Sequence, residues 1–198
     1  MGSKRFLPSE VITIVSGLPR SGTSMMMKML EAGGLYSLTD FKRLPDESNP
    51  HGYYEFERVK KLQDGDQEWL EAAQGKVVKV ISALLEFLPP IYPYKILYMQ
   101  RNIIEVLNSQ RKMLNRLQQK TELVSDEQFV SLFQKHEAKV EAWISDQPRM
   151  EICYVSYNDL LVNPWIQLQK VQQFLEVPLN LSNMLQVIDV NLYRHRFD

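Results

Sequence analysis

Residues 11–24 read VITIVSGLPRSGTS. The stretch joins a β-branched run, Val11-Ile12-Thr13-Ile14-Val15, to a turn with glycines at 17 and 22. A short apolar run of this kind suits a strand buried on both faces of a parallel sheet. The glycine spacing is that of a phosphate-binding loop, G-x-x-x-x-G-K-[ST], but Thr23 stands where the lysine belongs. Ser21 to Glu31 then reads as a helix with Met25, Met26, Met29 and Leu30 inward, stopped by Gly33-Gly34. A glycine turn between strand and helix points backbone N–H groups at one spot, and the helix N-terminus adds partial positive charge there. Arg20 adds a forked cation, and Ser21, Thr23 and Ser24 add hydroxyls. The stretch is therefore a cradle for an anionic group.

Outward from this loop, short apolar runs alternate with longer amphipathic ones. Strands are expected at 35–38, 76–81, 95–100 and 152–156. Helices are expected at 58–63, 67–73, 103–117 (capped by Asn102), 126–145 and 165–175. Residues 40–56, DFKRLPDESNPHGYYEF, read as a loop. The alternation predicts an α/β fold with a mainly parallel sheet flanked by helices, and the phosphate-loop spacing at 17–24 makes it one three-layered, P-loop-type domain over 1–198. In such sheets ligands sit beyond the carboxyl ends of strands. Three places are selected by that rule: the 17–24 loop, Asp40, and Arg101.

Bulk properties narrow the partners. The chain has 198 residues, 44% hydrophobic and 24% charged, with net charge −1. That balance argues against broad nucleic-acid binding, which needs a basic domain. A single cysteine, Cys153 in ICYV, excludes an internal disulfide framework and reads as a core thiol. No apolar stretch is long enough to span a membrane, and no signal-peptide apolar segment opens the chain. The expected compartment is the reducing cytoplasm.

The loop is poorly suited to ATP chemistry. Its lysine is missing, and the runs KVVKVI and KILYMQ are followed by Ser82 and Arg101, not by an aspartate that would hold Mg²⁺. Arg101 instead ends a strand, with Ser109 eight residues later on the following helix. At about 1.5 Å rise per residue, Ser109 lies two turns along.

Loop and Arg–Ser pair together resemble the PAPS-dependent sulfotransferases, which use 3′-phosphoadenosine-5′-phosphosulfate. The loop Pro19-Arg20-Ser21-Gly22-Thr23-Ser24 matches that family's P-[KR]-S-G-T-[TS]. A late segment, Tyr157-Asn158-Asp159-Leu160 with Pro164 and Phe174-Leu175, matches too, although Asn158 replaces the usual glutamate. The resemblance spans residues 11 to about 178. Arginine at position 20 is similar to the bacterial, tyrosylprotein and carbohydrate branches.

The resemblance implies transfer of a sulfuryl group from PAPS to a hydroxyl or amine, leaving PAP, without a metal. It implies that Pro19 to Ser24 grip the 5′-phosphosulfate, that Arg101 and Ser109 grip the 3′-phosphate, and that Tyr157 meets the adenine. Arg20 would stabilise charge at the sulfuryl group, with Lys79 as a second cation. A lysine among β-branched strand residues is costly without a partner or an open edge. The base is Asp40, Glu55 or His51. The loop from Phe41 to Phe56 is expected to shape the pocket of a sugar, lipid, peptide or small-metabolite acceptor. Arg194 and Arg196 close over the cofactor or belong to a solvated tail. Two other readings stay open: a P-loop kinase-like enzyme, and a module that binds PAP or another anion without catalysis.

Overall fold

β1 (Ile12–Gly17) lies inside a sheet of four parallel strands, beside β2 (Val77–Lys79) and β3 (Tyr94–Gln100), with β4 (Met150–Ser156) at the far edge. The order is β2-β1-β3-β4. Ile14 of β1 faces Val78 on one side and Ile96 on the other. The structure is a computed structural model and describes residues 6–44, 46, 49, 52–116 and 125–188.

Parallel strands need crossovers, and helices supply them on both faces. Seven helices are described: α1 (Thr23–Ala32), α2 (Trp69–Ala73), α3 (Ile103–Arg116), α4 (Asp126–Ser145), α5 (Tyr157–Val162), α6 (Pro164–Leu175) and α7 (Leu181–Gln186). Side-chain alternation along β3 divides the core. Ile96 and Tyr98 join Ile14 and Val78 under α2, α4 and the 3-10 turns Glu57–Asp64 and Ser82–Phe87. Leu97 and Met99 join Cys153 and Val155 under α1, α6 and α7. The period of two thus produces the three layers expected from sequence.

Local signals fix several element ends. Asn102 caps α3, its side-chain oxygen accepting from the Ile104 N–H at 3.0 Å. Ser125 and Gln128 form a capping box at α4. Lys95 is buried in β3, and its ammonium donates to the Phe174 carbonyl at 2.7 Å near the end of α6. Met26, Met27 and Met29 of α1 are all fully buried.

The expected strand over 35–38 is reduced to a single bridge, Ser37 to Val77. The Val77 N–H donates to Tyr36 and the Leu38 N–H donates to Val77, after which the Thr39 hydroxyl turns the chain by bonding the Glu55 carbonyl at 2.8 Å. Three further elements were not expected from sequence: the 3-10 turn at 82–87, α5 and α7. Each is six residues long, too short for a periodic pattern. Among the described residues, no helix is long and apolar enough to cross a membrane.

Candidate anion and donor site

The strand order decides where a ligand can sit. From β1 the chain goes to β2 on one side, and β3 returns on the other side of β1. The carboxyl ends of β1 and β3 therefore flank a topological switch point, the usual crevice in open α/β sheets. The 17–24 loop closes one side of it and Arg101 the other.

Within the loop, Gly22 has φ 100° and opens α1 without any side-chain cap. The first-turn amides of α1 are thus left to an anion or to solvent. The Tyr157 ring packs against Gly22 so closely that an added Cβ would lie 2.4 Å from Tyr157 Cδ2. Gly17 is equally confined, because a Cβ there would lie 2.6 Å from the Met99 carbonyl oxygen of β3. Ser21 is buried, and its hydroxyl has no hydrogen-bond partner among the described residues. A buried unpartnered hydroxyl in an uncapped helix-start loop fits a site built for a ligand's polar group.

Arg20 joins the two sides. Its backbone is left-handed, φ 72°, a costly conformation for a residue with a Cβ. Arg101, 81 residues away, donates from Nη1 to the Arg20 carbonyl at 3.2 Å. The Arg20 side chain then reaches α3, donating from Nε to Ser109 Oγ at 2.9 Å. The Arg101 guanidinium also lies 4.4 Å from the centre of the Tyr157 ring. Arg20, Gly22, Arg101, Ser109 and Tyr157 are therefore in mutual reach. Burial lowers the Arg20 pKa from its ordinary value, Tyr53 opposes that, and Arg101 adds to it. A guanidinium stays charged regardless.

Lys79 ends β2 on the other side of α1. Its ammonium donates to the Tyr53 carbonyl at 2.9 Å and to Ser24 Oγ at 3.1 Å. Asn49 donates to the same hydroxyl at 3.0 Å. Burial pushes the Lys79 pKa down to about 8, against the pull of Glu55 and with help from Arg43 and Arg20. Thr23 is buried in the first turn of α1, and Pro19 is in the loop.

The two carboxylates differ in their surroundings. Asp40 accepts the Glu57 N–H at 2.9 Å and the Lys42 N–H at 3.1 Å. Partial desolvation pushes the Asp40 carboxyl up, but the two backbone donors together with the charges of Lys42 and Lys60 outweigh it and leave the pKa below its ordinary value. Glu55 is partly buried and meets Arg43 at 2.6 Å and Lys60 at 3.4 Å. The Arg43 guanidinium in turn stacks 3.4 Å from the centre of the Tyr53 ring. His51, Arg194 and Arg196 lie outside the described residues.

Four participants were given no role of their own from sequence, although three of them lie in the 41–56 loop expected to shape the acceptor pocket. Tyr53 and Asn49 act on the Lys79–Ser24 pair from a loop with no periodic signal. Arg43 carries no motif. Glu105 binds Arg101 Nε at 2.8 Å, and its i,i+4 spacing was a legible sign.

The family model for the sulfotransferase domain matches residues 12–195. Among solved structures, the chain is similar to the sulfotransferase domain from the curacin biosynthetic pathway, with 17% identity and TM-score 0.53, over 90% of this chain and 77% of that one. It is also similar to retinol dehydratase in complex with androsterone and the inactive cofactor PAP, with 19% identity and TM-score 0.50, over 92% of this chain and 64% of that one. The chain thus spans under two thirds of retinol dehydratase. At these identities the likeness is one of fold. No curated protein sequence matches.

Gly22→Ala tests the loop. Its Cβ would meet Tyr157, and its φ would be strained, at a cost of roughly 1–3 kcal/mol from the backbone alone. Urea unfolding should show a loss of at least that size, and a change below about 0.5 kcal/mol would mean that ring and loop yield freely.

Proposed function

Because the chain belongs to the sulfotransferase domain family, we propose that it moves a sulfuryl group from PAPS to a hydroxyl or amine acceptor, leaving PAP. One observation carries the reading to particular residues. Arg101 and Ser109, after β3, bond Arg20 of the loop after β1, so two anion anchors form a single site. A donor with phosphate at both the 5′ and the 3′ positions needs two such anchors.

PAPS, when bound, supplies a sulfuryl group already activated by its link to phosphate. Pro19 to Ser24 and the α1 amides would hold the 5′ end, with the Ser21 hydroxyl available as a further partner. Arg101 and Ser109 would hold the 3′-phosphate, and Tyr157, packed on Gly22, would meet the adenine. Arg20 and Lys79 concentrate positive charge where negative charge develops during transfer. The acceptor must lose a proton, and we assign Glu55 as the group that takes it. Glu55 shares the field of Lys79 and is paired only with the exposed, rotatable side chains of Arg43 and Lys60, whereas both Asp40 oxygens are committed to backbone N–H groups. Asp40 then serves to hold the loop that carries Glu55.

The direct test is thermal stability with PAP, and separately with ATP plus Mg²⁺. A ligand at about 100 times its Kd adds about 2.7 kcal/mol. PAP should raise the melting temperature; a rise with ATP plus Mg²⁺ and none with PAP overturns the reading. Glu55→Gln should retain PAP affinity and lose turnover, while Asp40→Asn should keep measurable turnover. The reverse pattern would move the base to Asp40.

A pH profile tests Lys79. The protonated ammonium is the useful form, so kcat/KM for PAPS should fall as pH rises through about 8. Lys79→Arg, which stays charged, should lose that alkaline limb. An unchanged limb in the variant would assign the titration to another group.

A further inference from the structure

Behind the anchor arginine lies a closed chain of hydrogen bonds that the proposed chemistry does not use. Arg101 Nε donates to Glu105 Oε2 at 2.8 Å. Asn158 Nδ2 donates to Glu105 Oε1 at 3.0 Å. Asn158 Oδ1 accepts the Asn102 backbone N–H at 3.2 Å. The Arg101 and Glu105 side chains are only 8% and 3% exposed, so solvent cannot substitute for a lost partner. The chain ties the end of β3, the start of α3 and the start of α5 to one guanidinium.

The direction of this chain is forced. A backbone N–H and an arginine Nε–H can only donate. The Asn158 amide must turn its oxygen to Asn102 and its N–H to Glu105. Two donors then converge on residue 105, and only a carboxylate offers an acceptor to each. Glutamine would offer one oxygen and set its own N–H against the other donor. Glutamate at 158 would offer no N–H and would place a second carboxylate against Glu105. Glu105 and Asn158 are therefore matched to each other.

We propose that Glu105, held by Asn158, is the positioning residue for the 3′-phosphate anchor: it fixes the rotation of the Arg101 guanidinium before any donor binds. Tyr157, stacked on the guanidinium, fixes its plane. Arg101 Nη1 on the Arg20 carbonyl carries the same orientation into the 5′ loop. Prior fixing of a recognition side chain removes an ordering cost from binding. The inference rests on the donor reading above. An opposite effect competes with it, since the buried carboxylate is also a like charge to a phosphate. Orientation and charge predict opposite signs when the carboxylate is neutralised, which makes the test decisive.

The experiment measures Kd by calorimetry for PAP and for AMP, which lacks the 3′-phosphate. The wild type should prefer PAP, and Arg101→Ala should remove the preference. Glu105→Gln should cut the PAP-over-AMP preference about tenfold, a scale taken from the low end of what losing the partner that orients a metal-ligating side chain costs. Asn158→Ala should act in the same direction but less. If Glu105→Gln fails to fold, Asn158→Ala decides alone. A variant that melts earlier yet keeps the full preference overturns the proposal, leaving Glu105 a purely structural role. A Glu105→Gln protein that binds PAP more tightly than the wild type overturns it as well. A wild type without any preference for PAP overturns the donor reading itself.

Discussion

The hydrogen bond from Arg101 to the Arg20 carbonyl, together with that from Arg20 to Ser109, ties the loop after β1 to the segment after β3. Arg20 must turn left-handed for the loop to close onto α1, and that costs of order 1 kcal/mol or more for a residue with a side chain. The partner that offsets the cost comes from the next strand in the sheet. It can do so because β1 and β3 are neighbours in parallel register, Gly17 opposite Met99, so their carboxyl ends emerge side by side. A sheet with another strand order would leave the loop strained and the arginine distant.

Two cations near this junction, Arg101 with a buried side chain and Lys79 half-buried, are handled differently. Arg101 is given a buried carboxylate, Glu105, and a ring face, Tyr157. Lys79 is met by neutral oxygens, Ser24 Oγ and the Tyr53 carbonyl. Burial without a bonded carboxylate penalises the ammonium, which is why its pKa falls to about 8. The arginine can be a fixed anchor and the lysine a responsive one. This division suits a site in which one anion group is merely held and another changes its charge distribution.

The loop between the Ser37 bridge and the 3-10 turn at Glu57–Asp64 is organised by its own polar groups. The Thr39 hydroxyl bonds the Glu55 carbonyl, and the Asp40 carboxylate accepts N–H groups from Lys42 and Glu57. These bonds stitch the two ends of the loop together and leave the Glu55 side chain among Arg43, Lys60 and the field of Lys79. Phe41 and Leu44 stand exposed on the same loop. Asp40 and Glu55 thus occupy one structural unit with separate tasks, one holding backbone and one facing cations.

Sequence alone determined what is local. The β-branched run at 11–15, the glycines at 17 and 22 and the periodicity of 126–145 specify strand, loop and helix through neighbour-to-neighbour sterics and burial, and the structure has each of them. The Arg101–Ser109 spacing placed both residues on one strand-to-helix unit. Short elements escaped because α5 and α7 are started by the caps Ser156 and Asn180, and the uncapped 82–87 turn is held by the surface it rests on. The order β2-β1-β3-β4, the contact of Arg101 with Arg20, the packing of Tyr157 on Gly22 and the bond from Asn158 to Glu105 were settled only by tertiary structure. Each joins residues far apart in the chain, and no local preference encodes which buried donor will meet which acceptor.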